Sequence, residues 1–513
     1  MKKLLYSLVA ASMLLTSCDM DVKVPGQLDQ EDAITSLNGL ASFRLYAYNS
    51  LRSSTAGSWV TTPDLQADYY IGLRGNGGRG SSAIQAAYTA SSSAVTGFYQ
   101  SAYSQMKNLN FAITEGEKLI EAGLEGDDLL EANRYIGEIK FARAYLYFYL
   151  LDHFCQPYSA ELADKEGYGC QIVTVYDPAI SISQYPGRSS MNATLELING
   201  DLADAYTAIS AYESVDASNL GASASYLNSA TVRALQARVA LYSKDYTNAY
   251  NYAKEVTNNP KFELVSGDDY ISMWKNDKSL ELLFVPFVDA SESANAASFF
   301  DAYNYISEYP SRVNCIPTMN WLLAYDDNDI RFEAFFTPLF MTIDAQPTAA
   351  YIFNKYPGNP ALNTSSANAY KNAAKPFRLA EQYLILAEAA YELNKATDAL
   401  DALNELRAKR IDGYEKAMLS GIALRDAIRM ERAIELIGEG FRLSDLRRWG
   451  LGFSRDAEYG QLADNTVDVA DLFVHEDAAE VYTPGDYRYT WPIPYDEMQV
   501  TAALKGQQNP GYE

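Results

Sequence analysis

Apolar residues recur every three or four positions through much of this chain, and that period commits it to amphipathic helices. The clearest stretch is 378–410. Leu379, Tyr383, Leu386, Ala390 and Leu393 mark one face of a first helix. After Asn394-Lys395 a second helix carries Ala399, Leu403 and Leu406. Helices are also expected over 97–122, 127–154, 194–212, 228–257 and 421–448. In 127–154, Ile139, Ala142, Leu146 and Leu150 keep the spacing. The 228–257 stretch breaks near Lys244-Asp245 and resumes with Ala249, Ala253 and Val256.

Antiparallel helix pairs with alanine at the contacts and tyrosine between them resemble tetratricopeptide (TPR) repeats in pattern, although the strict consensus is absent. Such pairs bury their apolar faces against neighbouring pairs. Between them lie 55–96, 155–193, 258–375 and 451–513, rich in Gly, Ser, Asn, Pro and aromatics. Loops of that length in a compact chain are usually functional. One short strand is expected at 280–288. The expected fold class is therefore mainly α. TPR-like helices at about 97–154, 194–257 and 378–450 carry a large loop-rich ligand-binding face, chiefly 55–96 and 258–375, with few short strands.

The N-terminus constrains location. Met1-Lys2-Lys3 is a charged start, residues 4–15 are apolar, and Leu15-Thr16-Ser17-Cys18 follows. This is the pattern of a secretory signal. Twelve residues rise about 18 Å as a helix, too little to span a bilayer core. The cysteine after Leu-Thr-Ser resembles the lipobox of bacterial lipoproteins. That resemblance implies cleavage before Cys18 and acylation of Cys18, palmitate included. The expected organisation is a signal peptide (1–17), a lipidated tether (18–30) and one large domain (31–513). The formal charge is −25, and residues 1–17 remove two lysines and no acid. So acidic a chain argues against nucleic acid and against a polybasic grip on anionic lipid. Membrane attachment would then rest on the acyl chains, at about 0.8 kcal/mol per buried CH₂.

Most enzyme patterns are missing. His153 and His475 form no HExxH, and no G-x-S-x-G elbow is present. His153 lies in an aromatic helix end, where packing is the commoner role. Gly75 to Gly80 satisfies G-x-G-x-x-G, but without the strand–turn–helix context of a dinucleotide site. Asp326-Asp327-Asn328-Asp329 offers oxygen ligands for Ca²⁺, yet lacks the EF-hand spacing and glycine, and reads as a solvated helix cap. No cofactor is expected. Glu431, Glu435 and Glu439 lie one turn apart, with Arg432, Arg442, Arg447 and Arg448 around them, which reads as a structural ion-pair network. Carboxylates placed for glycoside hydrolysis would need a cleft that sequence alone does not show. Apart from Cys18, the cysteines are Cys155, Cys170 and Cys315. Cys155 and Cys170 flank a short polar loop, where they could pair or stay free and buried.

Several segments together resemble the SusD/RagB family of Bacteroidetes outer-membrane nutrient-binding lipoproteins. They are RAYLYFYLLDHFCQPYS (143–159), RSSMNATLELINGDLADA (188–205), ALQARVALYSKDYTNAYNYAKEV (234–256), LAEQYLILAEAAYELNKATDALDALNELRAKR (379–410), IRMERAIELIGEGFRLSDLRRWG (428–450) and YTWPIPYDEMQVTAALKGQQNPGY (489–512). The resemblance implies a non-enzymatic surface lipoprotein facing the cell exterior. It would cap a SusC-like TonB-dependent transporter barrel and bind an oligosaccharide on the loop face. Members resembling RagB imply peptide as the alternative ligand. A surface glycoside hydrolase or a plain TPR scaffold are further alternatives. Asp19 and Asp21 resemble surface-export signals of these lipoproteins. The loops do not align with the family's ligand residues one by one. Sugar recognition needs aromatic faces with a polar rim. Clustered aromatics in polar loops are therefore the candidates: Tyr69 and Tyr70 with Arg74, Asn76 and Arg79, and Tyr303, Tyr305 and Tyr309 with Asn304 and nearby Trp321.

Overall fold

The helical period is realised with one exception: the single helix expected over 421–448 is broken at 436–441, where Gly438 and Gly440 adopt φ of 78° and 85°. The computed structural model describes residues 33–72, 81–177, 179–218, 220–291, 300–304, 309–313, 315–343, 346–362, 371–455 and 481–512. Cys18, the signal and the tether lie outside them. In chain order come α1 (Leu37–Ser54), α2 (Ser58–Gln66), β1 (Tyr70–Gly72), α3 (Ser93–Glu121) and α4 (Gly126–Phe154). Then follow α5 (Met191–Glu213), α6 (Ser229–Tyr242), α7 (Tyr246–Thr257), α8 (Gly267–Asn276) and β2 (Leu282–Phe284). The strands β3 (Phe300–Asn304), β4 (Tyr309–Val313), β5 (Cys315–Pro317), β6 (Phe336–Ile343), β7 (Gln346–Phe353) and β8 (Phe377–Arg378) precede the C-terminal helices. Those are α9 (Leu379–Glu392), α10 (Ala396–Ala408), α11 (Gly421–Glu435), α12 (Arg442–Trp449) and, near the end, α13 (Tyr495–Val500). Among the described residues no helix is long and apolar enough to cross a membrane.

The two expected helix breaks have one geometry. Lys244 and Asn394 adopt φ of 59° and 60°. The next amide in each case donates to the carbonyl five residues back, Asp245 to Ala240 at 2.9 Å and Lys395 to Ala390 at 2.8 Å. That bond satisfies a carbonyl the helix end would leave open. The pairs α6–α7 and α9–α10 then pack on each other through Ala237, Ala249, Ala253, Ala387, Ala390 and Ala399, all buried. Small side chains let the helix axes approach closely.

Central to the stack is α4, whose second half is buried nearly all round. Charged side chains tie its neighbours to it. Arg143 donates to Asp201 of α5 at 2.8 and 2.7 Å and to Asn110 of α3 at 2.9 Å. Glu138 accepts from Arg134, and from Arg44 of α1. His153 is a packing residue, stacked on Tyr149 with ring centres 4.2 Å apart and against Trp491 at 4.7 Å. Cys155 and Cys170 are unbridged and buried, with their sulfurs 3.9 Å apart.

The C-terminal segment closes the fold. Trp491 is fully buried, donates from its ring to Gln66 at 2.8 Å and from its backbone to His153 at 2.8 Å. Gln508 bonds both the amide and the carbonyl of Ile493, each at 2.8 Å. Asn509 donates to Phe154 and Trp491 carbonyls and accepts from Arg188 at 2.9 Å. The segments 143–159, 188–205 and 489–512 therefore meet in one buried junction. The side chains that meet there, Trp491, Gln508, Asn509, His153 and Arg188, are spent on folding.

The acid and arginine pattern around 431–448 is structural, but its own arginines pair elsewhere, Arg432 with Asp445, Arg442 with Asp68 and Arg448 with Glu388, while the glutamates meet cations from outside the segment. Arg331, Lys355, Arg378, Arg407 and Arg410 interlock with Glu281, Asp329, Glu431, Glu435 and Glu439. Five cations meet five carboxylates, which leaves the network with no net charge. Burial would raise the Glu435 carboxyl, but Arg410, Arg378 and Arg331 overcome that and hold it well below the usual carboxylate range. Asp329 caps the helical turn Ile330–Phe335, as expected of the acidic cluster. It is buried against Arg331 at 2.7 Å, however, so only Asp326 and Asp327 of the cluster's acids are solvated.

Two expectations for the loops need correction. Within 55–96, α2 forms despite Thr61-Thr62-Pro63 because Asp64 and Gln66 are buried and bonded to distant backbone. Within 258–375, β6 and β7 form an eight-residue antiparallel ladder from Phe336↔Phe353 to Ile343↔Gln346. Pro338 and Pro347 hide that ladder from a propensity reading. The strand expected at 280–288 is present as β2, paired with β8.

Candidate functional site

Strands gather on one part of the helical scaffold. β1 pairs antiparallel with β5, Tyr70 opposite Pro317 and Gly72 opposite Cys315. β5 follows β4, which pairs with β3 in a hairpin that sets Asn304 opposite Tyr309. β5 and β4 also border the β6–β7 hairpin. The fold thus brings the two sequence-predicted aromatic segments, about 69–72 and 300–321, to one place. Tyr303 and Tyr309 lie on the β3–β4 hairpin. Arg74, Asn76, Arg79 and Tyr305 lie outside the described residues.

The tyrosines nearest the scaffold are not open platforms. Tyr69, Tyr70 and Trp321 are 1, 0 and 7 % exposed. Tyr69 donates to the Ala433 carbonyl at 2.7 Å, and the Trp321 ring nitrogen donates to the Asp68 carbonyl at 3.0 Å. Their rings meet edge to face at 5.0 Å. Tyr70 packs on Phe353 at 5.6 Å. Arg442 sits over the Trp321 ring at 4.8 Å and pairs with Asp68 at 2.8 Å. Behind it, Asp64 accepts the Gly440 and Arg442 amides. Burial pushes the Asp64 carboxyl up to about 7, against those two amides. With both faces packed, Tyr69, Tyr70 and Trp321 form a rigid floor under the strands.

Beside that floor is an open cleft of about 1110 Å³, between 319–333 and the β6–β7 hairpin. Its apolar wall includes Phe332 and Tyr351, whose rings meet at 5.2 Å, and Leu323, which is 74 % exposed. Its polar rim is acidic: Asp326, Asp327, Glu333 and Asp412. Aromatic faces beside carboxylate acceptors suit a ligand with an apolar face and hydroxyl or ammonium donors, and disfavour an anion. Among the described residues no three His, Cys, Asp or Glu side chains converge as a metal ion would require. Tyr351 and Phe332 were not singled out in the sequence, because the strand that aims Tyr351 is masked by its prolines.

Comparison with known proteins bears on this architecture. A sequence profile described as the SusD family matches residues 341–512. SusD-like protein P25 of Formosa agariphila is 34 % identical over 133 residues, which is 25 % of this chain and 22 % of that protein. The fold superposes on a SusD superfamily protein of Bacteroides thetaiotaomicron with a TM-score of 0.73, at 21 % identity over 92 % of this chain and 99 % of the other. A SusD-like carbohydrate binding protein of Bacteroides vulgatus gives 0.72 at 17 % identity, covering 92 and 98 %. Surface glycan-binding protein A of Bacteroides fluxus gives 0.68 at 21 % identity, covering 93 and 99 %.

Proposed function

We propose that the chain is a SusD/RagB-type carbohydrate-binding lipoprotein of the outer membrane and no enzyme, a reading supported by the family profile over 341–512 and the shared fold. In this reading Cys18 carries the lipid, the protein faces the cell exterior, and it delivers an oligosaccharide to a SusC-like TonB-dependent transporter. The observation that carries the reading is the strand-bearing patch on the helical scaffold, with its rigid aromatic floor and the aromatic, acid-rimmed cleft beside it. Two relatives of the same fold are named for carbohydrate or glycan binding. Arg74, Asn76, Arg79, Tyr303 and Tyr305 are the proposed ligand contacts, together with Tyr351 in the cleft.

The acidic rim favours a second reading, a cationic peptide, as the RagB-like alternative would have it. The two differ in salt dependence. Neutral glycan binding changes little with ionic strength, whereas peptide binding through Asp326, Asp327 and Glu333 weakens as salt rises. The test is an array of glycans and peptides probed with the full-length protein in detergent, with product analysis after prolonged incubation. Glycan binding without shortened products is expected. Peptide binding alone would replace the reading, and shortened glycans would make the protein a hydrolase. For the anchor, Cys18→Ala is expected to abolish palmitate labelling and sedimentation with the outer membrane. Unchanged labelling would rule the lipoprotein out.

A further inference from the structure

A second groove lies away from the strand patch. It has a volume of about 380 Å³ and is walled by α3, the 171–185 loop and α13. The loop is pinned against α3 from below. Tyr103 donates to the Gln171 carbonyl at 3.0 Å, Asn110 to the Val173 carbonyl at 2.7 Å, and Tyr147 of α4 to the same carbonyl at 2.9 Å. The groove is therefore preformed, and its size falls in the range of small-molecule sites.

Its lining divides into two kinds. Tyr103, Tyr176 and Tyr185 supply half-buried rings, and Val175, Ile182 and Val500 an exposed apolar rim. Gln100, Ser104 and Lys107 lie on successive turns of α3, and Glu497 of α13 also lines the groove. None of the groove-facing polar groups on Gln100, Ser104, Lys107 and Glu497 is used in a hydrogen bond that shapes the groove. The Lys107 ammonium only approaches the Tyr176 ring, at 5.7 Å. Donors and acceptors are thus mixed, and the Lys107 ammonium shares the lining with two carboxylates, Asp177 and Glu497.

We propose that this groove is a second carbohydrate site, taking a segment of neutral oligosaccharide. Aromatic rings cover the C–H faces of sugar rings, and mixed donors and acceptors match hydroxyls, which both donate and accept. Asp177 and Glu497 outnumber Lys107, which disfavours an anionic ligand, and the uncharged donors and acceptors of Gln100, Ser104 and the tyrosines suit a neutral one. The site rests on the reading that the protein binds glycan, and it adds a contact on a different part of the molecule. Two weak contacts on one long chain raise the overall affinity through effective concentration.

The test is calorimetry on the full-length protein in detergent with five neutral hexasaccharides: malto-, cello-, xylo-, manno- and laminarihexaose. Two sites per chain are expected for the hexasaccharide that binds. Ser104→Trp, which fills the groove from an exposed helix position, should reduce that to one. Tyr185→Ala should weaken the second site on the order of five- to tenfold. Ser104→Ala is the folding and size control and should keep both sites. One site in the wild type, unmoved by Ser104→Trp and Tyr185→Ala, would overturn the groove and leave the strand-patch reading standing. No binding of any hexasaccharide would overturn both.

Discussion

Glu435→Gln is the change that most sharply probes what holds the C-terminal half together. The Glu435 carboxylate accepts from Arg331 at 3.1 Å, Arg378 at 2.9 Å, and Arg410 at 3.0 and 3.1 Å. All four side chains are essentially inaccessible. Glutamine keeps the shape but removes the charge, so three buried guanidinium groups lose their shared counterion. Breaking a buried pair in this way costs about 3–5 kcal/mol. For a chain of this size the unfolding entropy is on the order of 1 kcal/mol per degree, so melting should fall by about 3–5 °C. The pH dependence has a definite sign. The folded carboxyl sits below its ordinary value of 4.5, so its contribution is present above that value and fades as pH falls beneath it. The gap between wild type and variant should be full at neutral pH and shrink on acidification. Urea unfolding followed by tryptophan fluorescence suits the assay, because the Trp274 ring lies 5.0 Å from Arg378. Glu415→Gln, at an exposed site, is the control and should stay within about 0.5 kcal/mol. A Glu435→Gln variant within about 1 kcal/mol of wild type, with a gap independent of pH, would refute the reasoning.

Other expectations are as specific. Arg442→Ala strands Asp68 and should cost about 3 kcal/mol or more in urea unfolding, whereas Arg432→Ala leaves Asp445 still paired with Arg448 at 2.9 Å and should cost less. Unchanged unfolding with lost ligand binding would instead make either arginine a ligand contact. Tyr351→Ala should weaken glycan binding on the order of five- to tenfold in calorimetry while leaving the melting temperature nearly unchanged; wild-type affinity would remove the cleft from the site. Mild oxidation with diamide should join Cys155 to Cys170, whose sulfurs are 3.9 Å apart, and closing a loop of that length adds up to about 3 kcal/mol. Thiol titration in denaturant that still counts Cys155 and Cys170 after diamide would refute the pairing.

Sequence reading succeeded where one physical signal dominated. The 3.6-residue period located most of the long helices to within a few residues, and Lys244-Asp245 and Asn394-Lys395 marked their breaks, but the helices Leu37–Ser54 and Gly267–Asn276 and the break at 436–441 were not anticipated. The carboxylates at 431, 435 and 439 read correctly as structural, but their partners Arg331, Lys355 and Arg378 are far away in sequence, so the network's extent was invisible. Tyr69, Tyr70 and Trp321 were singled out as aromatics in polar loops. Their burial was not legible, because Ala433, Phe353 and Arg442 pack on them from distant parts of the chain. The hairpin carrying Tyr351 escaped notice for a local reason: Pro338 and Pro347 weaken its strand propensity, although the two strands pair over eight residues.

The central claim is that glycan is held at the strand patch of a helical scaffold. Hydrogen exchange by mass spectrometry, with and without the tightest-binding glycan from the array, tests it most directly. Slowed exchange is expected in peptides covering 69–80, 300–321 and 346–353. Slowing confined to the helix pairs 229–257 and 379–408, with those three regions unchanged, would contradict it.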